Sequence, residues 1–277
     1  MERTKPFLKW AGGKGQLLSQ LEAFLPDTYN KYYEPFLGGG ALFFYLNPKK
    51  ASVNDINPNL IETYRAVKAQ PEELIKILKR LEQKYHRGNE DEQKLFYYKT
   101  RTRYNEARLD SLTKSAYLIF LNKTGFNGMY RENAKGKFNI PFGQHKKPTI
   151  CNVDGIREAS KLLQHTTITC GPFEKAVQKA GKGDFVYLDP PYYPLSTTSS
   201  FTSYTGQAFL EEEQLQLFEL YRSLDSRGCH VMQSNSKAPF ISELYKKFRL
   251  ETVMAGRSIN SQGTGRGKIE ELVILNY

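Results

Sequence analysis

Phe185-Val186-Tyr187-Leu188 followed by Asp189-Pro190-Pro191-Tyr192 is an apolar run that reads as a buried strand and stops at a carboxylate and two prolines. Proline fixes its own φ near about −65° and holds the residue before it extended, so Asp189 and Pro190 are kept out of helix with their carbonyls free to point outward. An ionised Asp only accepts hydrogen bonds, and neither proline can donate from its backbone. The loop suits a substrate that brings N–H groups, such as an amino-purine or amino-pyrimidine, and Tyr192 offers a face for an unstacked base. If Asp189 and the Pro190 carbonyl each accept one amine hydrogen, the nitrogen is drawn toward tetrahedral geometry and its lone pair is aimed at an electrophile. That is catalysis by positioning and electrostatics. Taken alone, the four residues equally suit a plain surface turn.

The surrounding chain gives the loop a place. Tyr32 to Phe36 reads as a short strand, Gly38-Gly39-Gly40 as a turn, and Ala41 to Leu46 as the start of a helix. A second strand, Ala51 to Asn54, ends at Asp55, and a helix is expected across Leu60 to Val67. Later come strands at 166–170 and 184–188, separated by a short helix over 173–180. A helix at 211–224, a strand at 230–233, a helix at 239–248 and a strand at 272–275 follow. Such alternation predicts an α/β fold with a parallel sheet, whose ligands sit outside the carboxyl ends of the strands. The triple glycine, Asp55 and the proline loop all fall at such ends. The glycines would let backbone approach a ligand, and Asp55 is placed to accept from ribose hydroxyls. The triglycine is not the G-x-G-x-x-G dinucleotide fingerprint, which disfavours NAD.

Between these parts, residues 70–147 differ. Two charged amphipathic helices (72–85 and 92–109), an apolar helix near 115–121 and a Gly/Asn-rich basic loop over 122–147 are expected. Residues 61–149 contain 19 Lys and Arg against 10 Asp and Glu, so this segment carries most of the formal charge of +11. A localised basic excess points to a polyanionic partner, although a solvated basic face has the same composition. The three cysteines and four histidines show no ligand spacing, so neither a zinc site nor a disulfide framework is expected. No run approaches the about 20 apolar residues of a membrane span, and no signal-peptide core follows Met1, so a cytoplasmic protein is expected.

In order, Trp10-Ala11-Gly12-Gly13-Lys14, Glu34-Pro35-Phe36-Leu37-Gly38-Gly39-Gly40, Asp55 and Asp189-Pro190-Pro191-Tyr192 resemble the Dam family (D12 class, alpha group) of adenine-N6 DNA methyltransferases. The resemblance extends through Gly125 to Arg131, Phe138 to Gly143, Arg257-Ser258-Ile259 and Arg266 to Leu272. It implies a Rossmann-like S-adenosylmethionine-dependent methyltransferase sheet with an inserted, mainly helical target recognition domain. The catalytic part would be residues 1–60 and 150–277, and the DNA-binding part 61–149.

The resemblance also implies roles. Trp10 and Lys14 would close over S-adenosylmethionine, with Lys14 near its carboxylate. Glu34, Pro35, Phe36, Gly38 and Gly40 would wrap its methionine and ribose portions, and Asp55 would take the ribose. Phe173 would contact its adenine, although Pro172 stands where the family carries an acidic residue. Asp189 would serve both cofactor and target amine. Phe126 and Asn127 would wedge into double-stranded DNA and fill the space left by a flipped adenine. Arg131 would read a guanine. Met129, Pro141 and His145 would read the other pairs of a GATC site, and Gln144 would contact the backbone. The family often has Arg at 144 and Tyr at 145. Methylation of cytosine N4, of another DNA sequence or of a protein glutamine amide, and a catalytically silent DNA-binding homologue, are the alternatives. Neither a membrane nor an obligate protein partner is expected.

Overall fold

A computed structural model describes residues 4–195, 209–256 and 268–277. Seven strands form one sheet: β1 (Tyr32–Glu34), β2 (Ala51–Asp55), β3 (Thr166–Cys170), β4 (Phe185–Leu188), β5 (His230–Ser236), β6 (Arg249–Gly256) and β7 (Lys268–Leu275). Their order is β3-β2-β1-β4-β5-β7-β6. The first five run parallel and β7 is antiparallel to both neighbours. This is the Rossmann-like sheet that the resemblance implied. Strand order reverses between β1 and β4, and in such sheets the crevice above that point is the ligand site. Glu34 and Leu188 end the two strands that flank it, so the glycine turn and the proline loop face one another across the crevice.

Both faces of the sheet are covered, which is why β4 is buried at every position. The helices are α1 (Leu18–Leu21), α2 (Ala41–Leu46), α3 (Pro58–Ala69), α4 (Pro71–Arg87), α5 (Glu90–Glu106), α6 (Ser111–Thr124), α7 (Val153–Gln164), α8 (Phe173–Ala176), α9 (Glu211–Ser226) and α10 (Pro239–Leu244). On one face a continuous core runs from Tyr32 and Phe44 through Tyr64 to Leu74, Tyr97 and Phe120, joining the sheet to the helical segment. On the other, Val186, Leu217, Tyr245 and Ile274 pack together. Local chemistry sets the helix starts. Asn57 accepts from the Leu60 N–H with Pro58 in the first turn, Asn89 and Glu92 form a capping box, and Asp110 and Asn152 cap α6 and α7.

Several boundaries differ from those expected. The helix after Pro172 ends at Ala176 and α10 ends at Leu244, both well short of the expected ends. α6 continues through Asn122 to Thr124, where a loop was expected. β5 runs three residues beyond Gln233, and helix α7 and edge strand β6 were not anticipated at all. α3 begins before residue 61 and packs on β2 and β3 as well as on α6 and α7. Of the C-terminal stretches that carry the resemblance, residues 257–259, 266 and 267 lie outside the described residues.

Candidate active site

The turn after β1 is built from glycine because its backbone requires it. Gly38 and Gly40 have φ of +49° and +67°, and a Cβ on Gly40 would lie 2.9 Å from the Tyr64 hydroxyl. Trp10 covers the same turn, with its ring 3.0 Å from where a Gly38 Cβ would be, and stacks on Tyr130 at 4.8 Å and 21°. Asp55 holds the turn in place. Its Oδ2 accepts from the Gly38 N–H and its Oδ1 from the Asn57 N–H, each at 2.9 Å. Burial raises the Asp55 carboxyl above its ordinary value, against the pull of these backbone donors.

Across the crevice, Lys14 Nζ lies 2.8 Å from Asp189 Oδ1, with side chains 6% and 18% exposed. The same ammonium donates to the Gly12 carbonyl at 2.7 Å, and the Asp189 carboxylate, with lone pairs beyond the one that faces Lys14, keeps acceptor capacity. Burial pushes the Asp189 carboxyl up, Lys14 pulls it back, and Glu271 raises it again. Lys14 also sits 4.6 Å from the centroid of the Tyr192 ring. Glu34 lies deeper, 3% exposed, accepting from the Tyr32 hydroxyl at 2.8 Å. Burial drives its carboxyl well above the usual range, with Asp189 and Asp55 adding to the rise.

The proline loop is tethered by residues that sequence reasoning missed. Buried Gln214 on α9 donates to the Pro191 carbonyl at 3.1 Å and accepts from Asn235 Nδ2 at 3.0 Å. Asn235 Oδ1 accepts from the Tyr193 N–H at 3.2 Å, and Ser236 Oγ donates to the Tyr193 carbonyl. Ser234 pairs with the Tyr187 hydroxyl. The polar end of β5, Gln233-Ser234-Asn235-Ser236, is thus buried with its partners: Asn235 and Ser236 grip the loop, Ser234 meets β4, and Gln233 accepts from the Tyr245 hydroxyl. Pro190 is buried and Pro191 exposed. Beyond Asn54, whose amide donates to the Pro35 and Gly171 carbonyls, Phe36 stacks on Phe173 at 5.1 Å and 29°, with Phe209 at 5.9 Å from Phe36. Ile56, one residue past Asp55 and 57% exposed, adds apolar surface that sequence reasoning passed over.

The expected DNA-contacting residues occupy a folded loop. Gly125 bridges Phe142 and Glu132 bridges Phe138 in antiparallel fashion, while buried Tyr130 and Phe138 anchor the loop from inside. At one end Phe126-Asn127-Gly128 forms a single tight turn, with Asn127 at φ +54° and Gly128 at +66°. That conformation leaves Phe126 49% exposed, with Asn127 exposed beside it. Buried Asn122, also missed, holds the turn by donating to the Gly128 and Lys9 carbonyls and accepting from the Lys9 N–H. Arg131 and Pro141 are exposed and Met129 is half-buried. Arg131 Nε donates to Asn139 Oδ1 at 2.9 Å, and its terminal nitrogens have no hydrogen-bond partner among the described residues. Gln144 reaches Glu90 at 3.4 Å, and the His145 ring lies 3.1 Å from the Gly125 carbonyl at the base of the loop.

These groups suit a ligand that carries an amine, a carboxylate, sugar hydroxyls and a flat ring. Asp189 and Asp55 have lone pairs to give, Lys14 is a cation, and the Phe36–Phe173 stack is an apolar platform. Among the described residues no helix is long and apolar enough to cross a membrane.

Comparison with known proteins gives the family. Residues 10–259 match the family model of the D12 class N6 adenine-specific DNA methyltransferase. The chain is 43% identical to the Type II methyltransferase M1.LlaDCHI of Lactococcus lactis subsp. cremoris, over 99% of this chain and 95% of the relative. It is 45% identical to the Type II methyltransferase M.MjaIII of Methanocaldococcus jannaschii, over 99% of each. The DNA adenine methylase of Escherichia coli K12 is 34% identical over 99% of this chain and 96% of its own length. A match across nearly the whole sequence, carried on the expected sheet, places the chain in the D12 class of N6 adenine-specific DNA methyltransferases.

Proposed function

We propose that the protein transfers a methyl group from S-adenosylmethionine to N6 of an adenine flipped out of double-stranded GATC. The observation that carries this is the convergence of Lys14, Asp189 and Tyr192 at the end of β4, opposite the glycine turn of β1. Lys14 would take the cofactor's carboxylate, Asp55 its ribose, and Phe36 and Phe173 its adenine, with Trp10 and residues 34–40 closing around it. Bound there, S-adenosylmethionine supplies an activated methyl group with a neutral thioether as its leaving group.

The chain's own residues position the target. Asp189 and the Pro190 carbonyl accept the two N6 hydrogens, which draws the lone pair out of conjugation, and Tyr192 supports the flipped ring. Gln214, Asn235 and Ser236 keep the loop from relaxing away from that geometry. The N6 proton passes to solvent after transfer.

Residues 61–149 serve as the target recognition segment. Phe126 and Asn127, held out by the turn beneath them, enter the duplex and replace the displaced base. This offsets the few kcal/mol, roughly, that unpairing costs. Arg131, with Nε fixed by Asn139, offers its terminal nitrogens to guanine O6 and N7. Met129, Pro141 and His145 lie on the same loop and complete the reading, and the surrounding lysines and arginines meet phosphates. Incubating unmethylated plasmid with the protein and S-adenosylmethionine, then cutting with nucleases that distinguish methylated from unmethylated GATC, tests the proposal. Protection confined to GATC is expected. Methyl incorporation that leaves GATC cleavage unchanged would refute the site assignment.

A further inference from the structure

The C-terminal stretch Ile269-Glu270-Glu271-Leu272 has so far no part in the chemistry. It lies on β7, in register with the tethering end of β5, so that Glu271 stands opposite Ser236 and Leu272 opposite Asn235. Successive strand residues point to opposite faces, and the two glutamates behave accordingly. Glu270 pairs with Lys237 at 2.9 Å on the surface. Glu271 turns the other way and accepts the Tyr192 hydroxyl on Oε2 at 2.7 Å.

The Tyr192 ring is thereby held from three directions. Its hydroxyl is fixed by Glu271, its face lies below the Lys14 ammonium, and the backbone of the next residue is gripped by Asn235 and Ser236. The carboxylate comes at an electrostatic cost, because its charge adds to the rise of the neighbouring Asp189 carboxyl. An apolar or amide side chain on β7 would avoid that repulsion, and a tyrosine that only filled space would need no charged acceptor.

We propose that Glu271 is a positioning residue for methyl transfer: by accepting the Tyr192 hydroxyl it fixes the plane of the ring on which the target base rests. This depends on the reading of Tyr192 as the base platform. Glu271 acts through Tyr192.

The test compares Tyr192→Phe, Glu271→Ala, Glu271→Gln and the double variant Tyr192→Phe/Glu271→Ala. One readout is incorporation of labelled methyl into unmethylated DNA of mixed sequence, so that the outcome does not hinge on GATC. The other is fluorine NMR of 3-fluorotyrosine-labelled protein without cofactor or DNA, the Tyr192 line being the one missing from Tyr192→Phe. Each of Tyr192→Phe and Glu271→Ala is expected to lower kcat about 10- to 100-fold, because the hydrogen bond, made before any substrate binds, holds the ring in the orientation the reaction needs. The double variant should be no worse than the poorer single, and Glu271→Gln, which keeps an acceptor, should recover most of the rate. In Glu271→Ala the Tyr192 line should shift and broaden. Losses that multiply in the double variant, or a Tyr192 line unmoved by Glu271→Ala, would overturn the assignment. A wild-type protein that labels no DNA would count against the proposed function alone, and the fluorine result would then decide the positioning role by itself.

Discussion

Replacing Lys14 by methionine removes the cation 2.8 Å from Asp189 while keeping most of the side-chain volume. Two unit charges at that distance attract by about 6 kcal/mol at an effective dielectric of 20. Much of this is offset by the desolvation of both groups, yet removing one partner strands the other charge, which costs about 3–5 kcal/mol for a buried pair. Asp189 keeps some exposure, so we expect a loss of about 3 kcal/mol for Lys14→Met. Asp189→Asn should cost less, because Lys14 keeps its bond to the Gly12 carbonyl. The double variant should then recover about 2 kcal/mol relative to the sum of the singles.

The pH dependence has a definite sign. A carboxyl whose folded value lies above its unfolded value favours folding below the unfolded value, and that advantage is lost as pH rises to the folded value. Burial raises Asp189 and Lys14 pulls it back, so Lys14→Met moves the folded value up and widens the window upward. The deficit of the variant should grow as pH rises through that window and shrink in acid. Urea unfolding of the four proteins without cofactor, at several pH values, measures both effects. Single-variant losses that add to within about 0.5 kcal/mol, or a deficit that does not change with pH, would refute the coupling.

Gln214→Leu leaves the Pro191 carbonyl and Asn235 amide without their partner, and should cost about 1–3 kcal/mol by thermal unfolding while also lowering kcat. Arg131→Ala should reduce discrimination at the guanine position by about 1–3 kcal/mol, read as the ratio of rates on cognate and single-substitution duplexes; an unchanged ratio would remove Arg131 as the reader. Phe126→Ala should weaken base extrusion with little effect on stability, since the side chain is largely exposed. A duplex with 2-aminopurine at the target should show a reduced fluorescence rise on binding, and an undiminished rise would dismiss the wedge.

The central half of the sheet was legible because its strands are short and end at turn residues: Phe185 to Leu188 is an apolar run buried at every position, and Ala51 to Asn54 is closed by Asp55. β6 was not, because only Val253 of its eight residues is buried and an edge strand shows no strong alternation. α7 carries Gly155 in its first turn, which weakens its helical signal until the Asn152 cap is seen. β5 was expected to end at Gln233, and the residues that continue it are polar. In the fold those side chains are buried because each has a hydrogen-bond partner, Ser234 on β4 and Asn235 and Ser236 on the proline loop, so polarity there does not mark surface. The candidates that the fold brings together at the crevice, Lys14, Asp55, Asp189 and Tyr192, stand on motifs and could be picked out in the sequence. Gln214, Asn235 and Glu271 could not, since each acts on a segment far away in sequence, and neither could Asn122, which ties the nearby Gly128 to the distant Lys9.

The most direct test of the account is the nucleoside composition of DNA treated with the protein and labelled S-adenosylmethionine. Wild type is expected to place the label in N6-methyladenine, and Asp189→Ala, folded and still able to bind DNA, to place none above background. Label found in N4-methylcytosine, or appreciable N6-methyladenine made by Asp189→Ala, would contradict the mechanism built on the Asp189 loop.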